Sequence, residues 1–167
     1  MLVLLLSVAI VALDQATKVL IQNTFYPGRV VPVVPGLFSV TCVRNTGAAW
    51  GILGGLNEWL ALLSVVVLLG IVILRRSFLT DALVHRVALG LMVGGIGGNL
   101  LDRLRLNFVV DFLDFHWGSH HFPSFNVADS AICVGVGLYL LTALNPRWSG
   151  RSPGVSAASE SESSPPV

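Results

Sequence analysis

Apolar residues fall into four long runs, at residues 2–21, 59–74, 84–101 and 127–144. Each approaches the roughly 20 residues of helix that cross a bilayer. Polar positions mark their ends, with Glu58 and Trp59 at one edge of the second run and Arg75 and Arg76 at the other. The first run carries Asp14, Gln15 and Lys18 in its last part. Asp14 and Lys18 are four apart and share a helix face. They read either as a mutually paired, snorkelling helix end or as an acid turned into a bundle to brace a site. No basic residue precedes Leu2 and no small-residue cleavage motif follows, so a retained helix is expected rather than a cleaved leader. The third run holds Gly90, Gly94 and Gly98 at four-residue spacing, which predicts close helix packing in lipid.

The segments between the runs differ in character. Residues 22–56 are rich in Val, Pro, Gly and Thr, and the alternation from Leu37 to Arg44 predicts short strands. Pro32 and Pro35 confine pairing there to edges or turns, so a small β-rich flap outside the membrane is expected. Asn45, Thr46, Gly47, Ala48 and Ala49 within it read either as a turn or as polar groups set against a peptide. Residues 104–126 are expected as a second outward loop. Residues 147–167 are Ser-, Pro- and Glu-rich, with little to bury, and are expected to be a disordered cytoplasmic tail.

Composition places the whole chain. Of 167 residues, 54% are hydrophobic and 11% charged, against about 25% charged in soluble domains. The fold class expected is an all-α polytopic membrane protein, with four transmembrane helices and the extracytoplasmic β-rich flap in one domain over residues 1–146. The net charge of +1 and the lack of a basic stripe give no sign of nucleic-acid binding. Arg75, Arg76, Arg86, Arg147 and Arg151 fall on one side of a four-span arrangement, so both termini are expected in the cytoplasm. Arg44, Arg103 and Arg105 oppose that count, and the last two lie beside carboxylates.

Those carboxylates are the candidate chemistry. Asp14, Asp102, Asp111 and Asp129 all fall at one membrane edge, where ionisable groups signal function. Asn99, Asp102 and Arg103 share a helix face by spacing, and Asn126 and Asp129 repeat the three-residue interval at the start of the last run. Asn126 suits a helix N-cap and Asp129 the first turn. Several acids crowded together cannot all ionise. Two that share a proton form the acid–base arrangement of aspartic proteases, in which one activates water and the other protonates the departing group. His116, His120 and His121 with Asp114 invite a metal reading, but Gly118 and Ser119 argue for a loop and no metal site is expected. Cys42 and Cys133 have no metal or redox spacing, and no disulfide is expected.

Five short motifs, in order along the chain, resemble the bacterial lipoprotein signal peptidase (signal peptidase II) family. They are Asp14-Gln15-Ala16-Thr17-Lys18, Asn45-Thr46-Gly47-Ala48-Ala49, Gly98-Asn99-Leu100-Leu101-Asp102-Arg103, Val109-Val110-Asp111-Phe112 and Phe125-Asn126-Val127-Ala128-Asp129-Ser130. The resemblance covers about residues 2–144. It implies an inner-membrane aspartic endopeptidase that cuts prolipoproteins just before a diacylglyceryl-modified cysteine. It implies Asp111 and Asp129 as the catalytic pair. Asp14, Asn45, Asn99, Asp102, Arg103, Asn126 and Ala128 would then support the pair or contact substrate. It implies no cofactor, membrane lipid as surroundings, and inhibition by globomycin-type cyclic peptides. Two other classes compete with it. A small ion-coupled transporter would also place aspartates in a bundle, but would show internal repeats or broken helices in matching halves. A packing scaffold would not explain so many acids on one face.

Overall fold

The computed structural model describes residues 1–47, 54–74 and 82–144. Ala48 and Ala49, the arginines at 75, 76, 147 and 151, and the 147–167 tail lie outside the described residues. Among the described residues, four helices and one four-stranded sheet form, in the order α1 (Leu2–Thr24), β1 (Val30–Val34), β2 (Phe38–Asn45), α2 (Asn57–Ile73), α3 (Leu83–Leu106), β3 (Val109–Trp117), β4 (His120–His121) and α4 (Val127–Leu144). Helices α1 and α3, at 23 and 24 residues, are long and apolar enough to cross a membrane. Helix α2, at 17 residues, and α4, at 18, are apolar but shorter. Large aliphatic side chains on α1 and α2, among them Leu4, Leu5, Leu62, Leu63 and Ile73, point outward, the expected surface for lipid.

The glycines of α3 set the bundle's spacing. A Cβ at Gly94 would lie 2.7 Å from the Cβ of Ile10, and one at Gly90 would lie 3.0 Å from that of Leu6, so α1 rests on the glycine face. Gly95 does the same toward α4, where an added carbon would collide with the carbonyl of Ala128. Helix α4 returns the fit through Gly135, whose Cβ would stand 2.7 Å from Met92 Cγ. The close packing expected from the four-residue glycine spacing is therefore present, on two faces of α3 at once. Among the described residues, helix α2 packs chiefly on α3.

The sheet corrects the sequence reading. Residues 104–126 do not form a plain loop, because β3 runs through them and pairs antiparallel with β2, in the order β1-β2-β3-β4. The strands expected near Leu37–Arg44 are there, and Pro32 lies on the edge strand β1. The flap is thus assembled from two segments separated by α2 and α3. Continuous burial hid β3: Val109, Val110, Asp111 and Phe112 are all buried, so no two-residue alternation appears. A bulge between Val40 and Val43 brings Val43 opposite Asp111. Val110 and Phe112 pack with Cys42 and with Ile21 of α1, which fastens the sheet to the bundle. Helix α3 runs five residues past its expected end and stops at Asn107 in the left-handed conformation, φ 63°. Arg103 and Arg105 occupy its last turn, where the helix dipole favours cations.

Candidate active site

Every site residue named from the sequence lies near the meeting point of α1, α3, α4 and the sheet. Asn126 caps α4. Its Oδ1 accepts the Asp129 backbone N–H at 3.0 Å, and Asp129 Oδ2 accepts the Asn126 backbone N–H at 3.2 Å. This is a reciprocal capping box, and it fixes the Asp129 carboxylate beside the helix N-terminus. The same Asn126 reaches β3, where its Nδ2 donates to Asp111 Oδ1 at 2.7 Å. One fully buried asparagine, through its carboxamide and its backbone N–H, therefore joins the two acids.

The second oxygen of each acid is also held. Asn45 Nδ2 donates to Asp111 Oδ2 at 2.9 Å, while Asn45 Oδ1 accepts the Gly47 N–H at 2.9 Å. Asn45 thus makes the turn with Gly47 and at the same time a side-chain contact to Asp111. Asn99 Nδ2 donates to Asp129 Oδ1 at 2.7 Å. Burial, then the nearby Asp129 carboxylate, push Asp111 up to about 7 from an ordinary value of 3.8. The amide donors of Asn45 and Asn126 and the charge of Lys18 pull the other way without cancelling that rise.

Behind this pair lies a second polar layer. Asp14 Oδ1 accepts the Ala128 N–H at 3.0 Å, satisfying another free donor at the start of α4. Ala128 is fully buried, and a Cβ on Gly98 would come 2.6 Å from Asp14 Oδ2 and 3.4 Å from the Ala128 Cβ. Asp102 Oδ2 accepts the Val110 N–H at 3.1 Å and so pins β3 one residue before Asp111. Gln15 donates to Asp102 Oδ1 at 2.9 Å. Lys18 Nζ lies 2.8 Å from Asp14 and 3.1 Å from Asp102, and donates to Asn99 Oδ1 at 2.9 Å. Neither Asp14, at 0% exposure, nor Lys18, at 1%, snorkels. The pairing of the first sequence reading is present, and so is the bundle-facing Asp14 of the second. Lys18 and Gln15 are the residues that the sequence reading left out of the site. Their signal was a cation and an amide beside an acid inside an apolar run.

A cavity of about 420 Å³ opens onto the pair. Asn45, Asn99, Arg103, Asp111 and Asp129 form its polar wall, while Val109, Phe122, Phe125, Ile132 and Cys133 form an apolar one. Arg103 reaches the Gly47 carbonyl at 3.4 Å and the Asn99 carbonyl at 3.5 Å, both long, and its buried Nε makes no hydrogen bond. A second, more open cavity of about 560 Å³ lies over the sheet and also includes Asp111, together with Thr41, Arg44, Asp114 and His121. Of the residues in the metal reading, His121 Nδ1 meets Asp114 at 2.9 Å, and His116 Nε2 meets Ser39 Oγ at 3.1 Å. Cys42 is buried in the sheet core and Cys133 is exposed, and both are free thiols.

Two acids held by shared amides at the edge of an apolar chamber can bind a peptide carbonyl and activate one water against it. The family model described as signal peptidase (SPase) II matches residues 6–145. A lipoprotein signal peptidase of Geobacter metallireducens is 46% identical over 132 residues, covering 77% of this chain and 82% of that one. The one of Bacillus subtilis is 40% identical over 144 residues, covering 86% and 94%. A bacterial membrane enzyme solved in meso at 2.3 Å superposes with a TM-score of 0.78 and 35% identity, covering 92% of this chain and 93% of that one. Another, at 1.9 Å, gives 0.73 and 37%, covering 86% and 92%.

Proposed function

This chain belongs to the signal peptidase II family of lipoprotein signal peptidases, and from that premise we propose that Asp111 and Asp129 are its catalytic pair. The protein is an aspartic endopeptidase of a bacterial membrane that removes signal peptides from prolipoproteins. The observation that carries the assignment is the Asn126 carboxamide, donating to Asp111 while its own backbone N–H is held by Asp129. Two carboxyls so linked share one proton and titrate as a unit. One takes a proton from the attacking water as the other protonates the scissile carbonyl.

The remaining residues support this reading. Asn45 and Asn99 hold the outer oxygens of the pair. Asp14, Asp102 and Ala128 hold the elements that carry it. Arg103, whose guanidinium lines the cavity with long bonds only, is placed to bind a substrate carbonyl. The apolar wall suits a cysteine bearing a diacylglyceryl group, with its acyl chains running into the surrounding lipid. A globomycin-type cyclic peptide would compete for the same chamber. The four apolar helices and the distribution of arginines along the sequence support a reading with four membrane crossings, cytoplasmic termini and an outward-facing site, and the family supports an inner-membrane location. The ion-coupled carrier weighed from the sequence gains no support.

The test is direct. Purified protein is incubated with a diacylglyceryl-modified preprolipoprotein and with its unmodified form. Release of the signal peptide from the first and not the second is the expected result. Equal cutting of both would remove the lipid from the recognition.

A further inference from the structure

The geometry points to Lys18 as a positioning residue that holds Asn99 in one orientation and thereby makes Asp129 the ionised member of the pair, leaving the shared proton on Asp111. This rests on the assignment of Asp111 and Asp129 as catalytic.

An asparagine side chain presents a donor at one end and an acceptor at the other, and nothing intrinsic decides which way it faces. At Asn99 the decision is made by a cation. Lys18 has donors only, and its Nζ sits 2.9 Å from Asn99 Oδ1. Asn126 Nδ2 donates to the same oxygen at 3.2 Å. The oxygen is therefore committed to two donors, and Nδ2 must face Asp129, which it does at 2.7 Å. A flipped Asn99 would set its NH₂ against an ammonium and its oxygen against a carboxylate. Asn126 is fixed in the same sense, because its Oδ1 already accepts the Asp129 N–H.

The consequence for Asp129 is a matter of donors. Its Oδ1 receives an amide polarised by Lys18, and its Oδ2 receives a backbone N–H at the first turn of α4, where the helix dipole favours negative charge. Asp111 also accepts two amide donors but sits on a strand, without a helix terminus behind it. The charged groups facing Lys18 and the pair are Asp14 from α1, Asp102 and Arg103 from α3, Asp111 from β3 and Asp129 from α4. Lys18 is wedged at 1% exposure between Asp14 and Asp102, so its amine cannot swing away from Asn99 into solvent.

The chemistry then has a direction. Water adds to the scissile carbonyl carbon, its proton passes to Asp129, and the Asp111 proton passes to the carbonyl oxygen. The neutral gem-diol that results breaks its C–N bond. Asp129 gives its proton to the departing nitrogen, and a hydroxyl proton returns to Asp111. An acid and an amine leave, and the pair is restored.

Lys18→Met tests this, measured with kcat, KM and a pH profile on the lipidated substrate. Removing Lys18 also strands Asp14 and Asp102, so Lys18→Met with Asp102→Asn is made beside it; the asparagine still offers an acceptor to the Val110 N–H. Both variants should lose about 100-fold or more in kcat, with KM within about twofold, because no substrate contact is removed. Their activity should also persist to higher pH than that of the parent, since the lost cation faces Asp111. A double variant that regained both Tm and kcat would make Lys18 a fold staple and overturn the inference. So would an unchanged high-pH limb. Asp111→Asn, run in parallel, separates the two readings: if it stays active, the catalytic pair itself is wrong, whereas if it is dead and Lys18→Met is not, only the role of Lys18 falls.

Discussion

The carboxamide of Asn126 stands 2.7 Å from Asp111, and its backbone N–H stands 3.2 Å from Asp129. A single residue thus caps a helix and couples two acids. Asn126→Ala should lose both functions. The missing cap should cost about 1 kcal/mol of stability, a modest fall in Tm. The missing bridge should cut kcat by about 100-fold or more. A variant that melted earlier yet cut at the parent rate would show that the bridge is only a cap.

Each acid is open to its own test. Asp111→Asn and Asp129→Asn preserve shape and remove ionisation, and both should lower kcat/KM by at least about 1,000-fold while the protein still accumulates in the membrane. Asp102→Asn is the comparison, because Asp102 holds the Val110 N–H rather than facing the cavity. Its loss should be smaller. An equal loss would leave Asp102 a rival for the acid role.

The pH profile follows from the raised Asp111. With its proton held up to about 7, activity should fall as pH rises through that value. Asn45→Ala removes a donor that favours the charged form, so its limb should move to still higher pH. Stability carries the same signature. Folded Asp111 keeps a proton that the unfolded chain gives up near 3.8, so this group's favourable contribution is complete below 3.8 and is lost as pH rises through about 7. Asp111→Asn should flatten that part of the Tm-versus-pH curve. A curve of unchanged slope would place the raised group elsewhere.

Glycine spacing gives a structural prediction with an internal control. Gly98→Ala places a carbon 2.6 Å from Asp14 Oδ2, and should destabilise by about 1–3 kcal/mol and reduce activity by disturbing Asp14 and Ala128. Gly137→Ala meets nothing within 4 Å and should be neutral or stabilising by up to about 1 kcal/mol. Similar behaviour of the two would contradict the packing of α1, α3 and α4.

The helices were legible because long apolar runs leave few alternatives. Asn126 and Asp129 were legible because capping is local and written three residues apart. What stayed hidden depends on distant partners. Strand β3 has no visible alternation, because both its faces are covered over Val109–Phe112, and its longest pairing is with β2, across two helices. Lys18 reads as a helix-end cation until α3 supplies Asp102 and Asn99. That Asn45 does more than form a turn was not legible locally, since its second partner, Asp111, is 66 residues away.

That last separation bears on how the enzyme comes into being. Strand β2 leaves the ribosome before α2 and α3, and its pairing partner only after them. Asp129 follows later still, on the final helix. A nascent chain with three helices inserted therefore has no completed centre to act on its neighbours. On the proposed pairing of Asp111 with Asp129, hydrolytic competence would arrive only when the fourth helix closes the bundle, so a protein truncated before Val127 should be proteolytically silent however well it inserts.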